Sequence, residues 1–221
     1  MNAAAAPPID VAVGPDGLIG SLGIPERASG IVIFAHGSGS GRLSPRNNYV
    51  AEQLRRAGLA TLLLDLLTPE EENDRRNVFD IPLLASRLSA AAAWTATLRA
   101  TRDLPIGFFG ASTGGGAALL AASTAGERVG AVVSRGGRPD LAGARALAQV
   151  RAPTLLIVGS RDVPVIELNE IAMQHLRCPK ELVLVPGAHH LFEEPGALDA
   201  VVGHATRWFL RHLDAEASYG P

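Results

Sequence analysis

Pro105–Leu119 reads PIGFFGASTGGGAAL. A short apolar run, Ile106–Phe109, enters Gly110-Ala111-Ser112-Thr113-Gly114, and a small-residue helical pattern, Gly115–Ala122, leaves it. That is a strand, a tight turn and a helix, with a serine at the apex and a glycine two positions to either side. An apex serine of this kind sits in a strained turn, where a bulky residue at Gly110 or Gly114 would clash with the neighbouring strand or helix. The turn lifts the hydroxyl clear of the sheet, beside a helix N-terminus whose free N–H groups and dipole favour negative charge. A serine nucleophile needs that exposure, and a donor such as the Thr113 N–H where an oxyanion forms. A glycine-rich turn that only packs, or that cradles a phosphate, has the same local pattern, so the rest of the chain must separate them.

On either side of this turn, apolar runs alternate with helical patterns. Gly30–Ala35 (GIVIFA) and Leu59–Leu64 are continuous runs, as expected of strands buried on both faces. Between them Pro45–Ala57 reads as a helix, with Ser44 as cap and Gly58 as stop. Ile81–Arg102 reads mostly as one long alanine-rich helix, and Thr68–Arg76 (TPEEENDRR) as a solvated surface loop. After the serine helix come a strand at Val129–Ser134, a loop at Arg135–Asp140, a short helix to about Gln149 and a strand at Thr154–Val158. A helix at Val165–Leu176, a last strand at Glu181–Val185, a loop at Pro186–Phe192 and a closing helix at Ala197–Leu213 complete the series. Ahead of all these, Asp10–Val13 and Leu18–Leu22 flank Gly14-Pro15-Asp16-Gly17, which predicts a hairpin. Strand–helix alternation with short joints demands an α/β three-layer sandwich, a mostly parallel sheet covered on both faces. One domain is expected over 9–214, without a lid, between a frayed start (1–8) and a C-terminal tail (215–221).

Composition bounds the function. The chain has 221 residues, nearly half of them apolar, with a formal net charge of −2. Such a balance carries no nucleic-acid footprint and no pull toward an anionic membrane. A single cysteine, Cys178, rules out an internal disulfide, and its place in RCPKE offers no partner motif for a nucleophile. MNAAAAPPID lacks a basic n-region, no apolar run approaches a membrane span, and a cytoplasmic protein is expected.

In a parallel sheet every strand ends on one edge, and ligands bind there. The loops just past those ends hold His36–Gly41, Asp65, Ser112, Arg135–Asp140, Asp162 and Pro186–Phe192. A serine hydroxyl becomes a nucleophile when a base takes its proton and a third group fixes the base. Asp162 is the acid candidate, with Asp140 in reserve, and the base is His189 or His190. The order Ser, Asp, His is one of the known orders for this constellation. Arg135 and Arg138 either bind a substrate carboxylate from the rim or lie solvated, and Arg42 and Arg46 carry the same ambiguity.

The segments IVIFAHGSGSGRLSPRN, GFFGASTGGGAALLAA, LLIVGSRD and VPGAHHLFEEPGAL make the chain resemble an α/β-hydrolase of the dienelactone-hydrolase-like branch, over nearly its whole length. The resemblance implies that His190 is the catalytic histidine and that His189 falls on a variable position. It also implies an oxyanion hole of two backbone N–H groups, Ser38 with Thr113, while His36 packs the loop. Dienelactone hydrolases proper use a cysteine nucleophile; serine at position 112 favours an ordinary serine esterase. The expectation is hydrolysis of a small carboxylic ester, a small-molecule substrate, by Ser112, His190 and Asp162. No metal or organic cofactor is required, and no H-E-x-x-H or dinucleotide fingerprint occurs. Thioesterase, lactonase, amide hydrolase and perhydrolase activities share these residues. A non-catalytic ligand-binding protein of the same fold and an interaction domain that forms a homodimer are the readings of another class.

Overall fold

The computed structural model describes residues 7–213. The frayed start expected over 1–8 lies outside the described residues except for its last two, and the tail over 215–221 lies wholly outside them. In chain order the elements are β1 (Ile9–Val13), β2 (Leu18–Gly23), β3 (Gly30–Ala35), α1 (Pro45–Arg56), β4 (Leu59–Leu64), α2 (Pro69–Glu72) and α3 (Ile81–Thr95). They continue with β5 (Ile106–Ala111), α4 (Thr113–Ala125), β6 (Val129–Arg135), α5 (Ala144–Leu147), β7 (Thr154–Gly159), α6 (Val163–His175), β8 (Lys180–Val185) and α7 (Ala197–His212).

The expected hairpin forms: β1 and β2 pair antiparallel across Gly14 and Gly17, both at positive φ. The eight strands among the described residues make one sheet in the order β1-β2-β4-β3-β5-β6-β7-β8. β2 joins β4 antiparallel, and every pairing from β4 to β8 is parallel. Strands β3, β4 and β7 are buried along their whole length, which is why their apolar runs show no alternation.

The order turns back at β3: β4 lies to one side of it and β5 to the other. Reversing direction while keeping one hand of crossover sends successive helices to opposite faces. Accordingly Val50, Ala51 and Leu54 of α1 pack with Val201, Ala205 and Phe209 of α7 over Phe34, Phe109, Val133 and Ile157. On the other face Leu84 and Leu88 of α3 and Ala117, Ala118, Ala121 and Ala122 of α4 cover Ile33, Phe108 and Val132. Each large apolar side chain so buried contributes about 1.5–3 kcal/mol.

Two sequence expectations need correction. The long helix from Ile81 ends at Thr95, not near Arg102. Beyond it the backbone closes in tighter turns, Thr97 N–H to Trp94 O and Leu98 N–H to Thr95 O, and the Thr101 hydroxyl reaches back to Thr95 O at 2.6 Å. Pro69–Glu72, read as loop, is the short helix α2: its cap residue Thr68 and Glu71 cap each other reciprocally, with Pro69 in the first turn.

Candidate active site

The turn-back point places the loop after β3 and the turn after β5 side by side, which is where open parallel sheets open a crevice. Ser112 occupies that turn with φ 52° and ψ −123°, half-buried, at the cap of α4. This backbone is costly for any residue with a Cβ, on the order of 1–3 kcal/mol. The two flanking glycines make it attainable. A Cβ on Gly114 would run into the carbonyls of Ala35 and His36, and one on Gly110 into the backbone of Gly114 and Gly115. The other wall of the crevice is Gly37, where a Cβ would stand 2.9 Å from Ser112 Cβ and 3.6 Å from its hydroxyl oxygen.

Asp162 and His190 meet. His190 Nδ1 lies 2.7 Å from Asp162 Oδ2, across 28 residues of sequence. Asp162 is the cap residue of α6, the place where an aspartate ordinarily accepts from its own helix, yet its side chain makes no such bond. The carboxylate is turned to the imidazole instead, so the position looks like a cap and serves another partner. The ring rests against the exit of β6: a Cβ on Gly136 would lie 3.5 Å from His190 Cε1. Ser112 reaches the same exit, its N–H donating to Arg135 O at 3.3 Å. The structure thus brings the three residues to adjoining turns, without a direct hydrogen bond from Ser112 to His190.

Phe192, two residues past His190, holds this loop down. It is 2 % exposed and sits at φ 55°, the other non-glycine residue at positive φ among those described. The Arg161 N–H donates to Ala188 O at 2.9 Å and ties the loop to the exit of β7.

The loop after β3 is fixed at both ends. His36 is buried; its Nδ1 lies 3.0 Å from Gly37 O, and its Nε2 accepts the Leu66 N–H at 3.1 Å. Two such partners require the proton on Nδ1, so His36 packs the loop, as expected. At the far end Asp65 accepts the Arg42 N–H at 2.6 Å and the Arg42 guanidinium at 3.1 Å. Ser38 lies between, and its N–H donates to Thr113 Oγ1 at 3.0 Å. Beside this loop runs a cleft of about 970 Å³, with Leu67, Val78, Phe79 and Leu84 on its apolar side and Arg46 and Arg75 among its polar lining.

Several other candidates leave the site. Asp140 is held in a two-point pair by Arg138, at 2.9 and 2.8 Å, so neither is free for the base or for a substrate. Arg135 is neither solvated nor on the rim. It is the last residue of β6, shares the face of Ala131 and Val133, and lies 8 % exposed over the Phe192 ring at 6.0 Å. Its guanidinium donates to Asn47 Oδ1 at 3.3 Å, and burial, with Arg46 nearby, pushes its pKa down to about 10. Arg42 and Arg46 are paired with Asp65 and Glu193. His189 turns outward to Glu194 rather than toward Ser112. Cys178 is buried against Thr154, the first residue of β7 and so at the opposite edge of the sheet, and burial pushes its thiol pKa up. Sequence reasoning missed the roles of Phe192 and Asp65. Period-two alternation along β6 would have placed Arg135, but nothing local announces Phe192. Among the described residues no group of three or more His, Cys, Asp or Glu side chains is placed to hold a metal, and no helix is long and apolar enough to cross a membrane.

Residues 28–205 match a family model described as an alpha/beta hydrolase domain. A crystal structure of dienelactone hydrolase from Anabaena variabilis is 57% identical, covers 96% of this chain and 100% of that one, and superposes with a TM-score of 0.91. A Mycobacterium tuberculosis protein, provisionally named a phosphoribosyl transferase, is 58% identical over 218 residues, which is 96% of this chain and 49% of that protein. The chain therefore spans about half the length of that relative. A Bradyrhizobium protein, provisionally named a 2-oxo-3-(5-oxofuran-2-ylidene)propanoate lactonase, is 32% identical over 166 residues, 66% of each chain.

Proposed function

The chain belongs to the alpha/beta-hydrolase domain family, in its dienelactone-hydrolase-like branch, and from that premise we propose that it cleaves small carboxylic esters through an acyl-enzyme on Ser112. The observation that carries the reading is the Asp162–His190 pair: a carboxylate that leaves its own helix cap open and accepts from an imidazole instead. With the Nδ1 proton held by Asp162, the lone pair of His190 sits on Nε2, the nitrogen that receives the Ser112 proton.

The reaction has two steps. His190 deprotonates Ser112 as its oxygen attacks the carbonyl carbon, and the N–H groups of Ser38 and Thr113 receive the resulting oxyanion. Asp162 stabilises the imidazolium, which then protonates the leaving alkoxide. Water, deprotonated by the same histidine, releases the acid and restores Ser112. Thr113 opens α4, so the positive end of that helix adds to the stabilisation of the oxyanion. The cleft beside Ser38 gives the remainder of the ester its room. The hydrolase names of the Anabaena and Bradyrhizobium relatives agree with this chemistry. The mycobacterial name is left with its own protein, of which this chain matches about half. The lactonase name keeps a cyclic ester as the second substrate reading, opened by the same residues.

The test is p-nitrophenyl acetate hydrolysis with fluorophosphonate labelling. Wild type is expected to turn over and to carry the adduct on Ser112, and Ser112→Ala to lose at least about a thousandfold in kcat. Equal rates for the two proteins would leave a ligand-binding member of the fold.

A further inference from the structure

We propose that the Thr113 side chain is the positioning group of the oxyanion site: its hydroxyl holds the Ser38 N–H in place until the negative oxygen of the reaction takes that N–H over. This rests on the acyl-transfer reading and deepens it. The two predicted oxyanion donors are thereby coupled through one residue, which gives its N–H to the oxyanion and its oxygen to the other donor.

The Ser38 N–H donates to Thr113 Oγ1 at 3.0 Å, across 75 residues of sequence. Gly37-Ser38-Gly39-Ser40-Gly41 has little conformational preference of its own, and Gly39 stands at φ 69°. The ties to Leu66 and Asp65 fix the loop only at His36 and at Arg42. Between them Gly37 O meets His36 Nδ1 at 3.0 Å and the Ser40 N–H at 3.2 Å, Gly41 O accepts the Ser44 N–H at 3.0 Å, and Ser38 itself is held by Thr113. Thr113 makes a rigid anchor. It is 6 % exposed, its branched side chain is restricted at χ1, and the next residue is wedged against Ala35 and His36.

The exchange of acceptors favours the transition state. A neutral hydroxyl and a neutral ester carbonyl are similar acceptors, so substrate alone gains little by displacing Thr113. An oxyanion accepts roughly twice as strongly as a neutral group. The Ser38 N–H therefore passes to the substrate oxygen as negative charge develops, and the loop meets that moment already oriented. Interactions made only at that stage appear in kcat and not in KM.

The test pairs Thr113→Val, which keeps the shape and removes the acceptor, with Thr113→Ser, which keeps the hydroxyl. Steady-state hydrolysis of p-nitrophenyl acetate and hydrogen exchange of the Ser38 amide are measured on the full chain. Thr113→Val is expected to lose about tenfold in kcat with KM within about twofold, and its Ser38 amide to exchange faster. Thr113→Ser is expected to restore both. A Thr113→Val enzyme with kcat at or above wild type, an unchanged Ser38 exchange rate, or a Thr113→Ser enzyme as impaired as Thr113→Val would overturn the proposal while leaving acyl transfer standing. A wild type without hydrolysis sinks the acyl-transfer reading and the catalytic half of this proposal with it.

Discussion

The two edges of the sheet are made by the same strands and carry opposite kinds of structure. At the edge where the parallel strands end stand Ser112 and Phe192, the two non-glycine residues at positive φ among those described, together with the Asp162–His190 pair. Where those strands begin, the contacts are apolar and relaxed. Leu213, 1 % exposed, lies over the starts of β3, β5 and β6, and a Cβ on Gly30, Gly107 or Gly130 would meet it at about 3 Å. Cys178 closes the same side against Thr154. The asymmetry follows from parallel pairing. Strands that all run one way deliver every helix N-terminus, with its unpaired N–H groups, to one edge. Strain and polar pairs accumulate where those donors can act, and the other edge is left to packing.

The most destructive way to probe this contrast short of Ser112 itself is a methyl group beneath it. Gly114→Ala is expected to cost about 3 kcal/mol of stability, since its Cβ meets the carbonyls of Ala35 and His36 and neither backbone can retreat. Urea unfolding reads the loss directly. A variant as stable as wild type would mean that the strained turn can relax, and that the serine's φ is not imposed by the packing of α4 on β3.

A quieter probe sits on the opposite edge. Cys178→Ala is expected to cost about 1 kcal/mol through lost apolar contact, with kcat and KM unchanged. Loss of hydrolysis at wild-type stability would break the division between the edges.

How much of this was legible before the structure depends on whether the signal was local. The serine turn was, because glycine at 110 and 114 states a close approach that nothing else demands. The strands were as well, since burial on both faces removes alternation and leaves runs such as GIVIFA. The helix end at Thr95 was not: no glycine or proline marks it, and the ladder gives way there to tighter turns fastened by the Thr101 hydroxyl on Thr95 O. The α2 cap was written in Thr68-Pro69-Glu70-Glu71 and lost under the charge of the stretch. At the site, Ser112, Asp162 and a histidine pair were legible as loops past strand ends. The choice of His190 over His189 came from family resemblance, because neighbouring residues on one loop differ only in which way they face. Arg135 was misplaced because its Gly/Pro-rich sequel outweighed the alternation with Val133 and Ala131.

That facing difference sets the smallest effect. His189 turns outward and meets Glu194, which also accepts the His189 backbone N–H at 3.1 Å, so this pair clips the outer side of the loop whose inner side carries His190. The hydrogen bond from His189 holds the Glu194 carboxyl below the usual carboxylate range. A carboxyl whose pKa is lower folded than unfolded adds stability that is fully present above the unfolded value, about 4.3, and is lost as pH falls through the folded one. Glu194→Gln is therefore expected to lower Tm slightly at neutral pH and to flatten the acid limb below that value by the same small amount, because the pair is partly exposed and screened. Hydrolysis near neutral pH is expected to stay within about twofold of wild type, as the inner contacts through Ala188, Phe192 and Asp162 still seat His190. A tenfold loss of kcat would show that the outer clip, and not the buried anchor at Phe192, aims the imidazole.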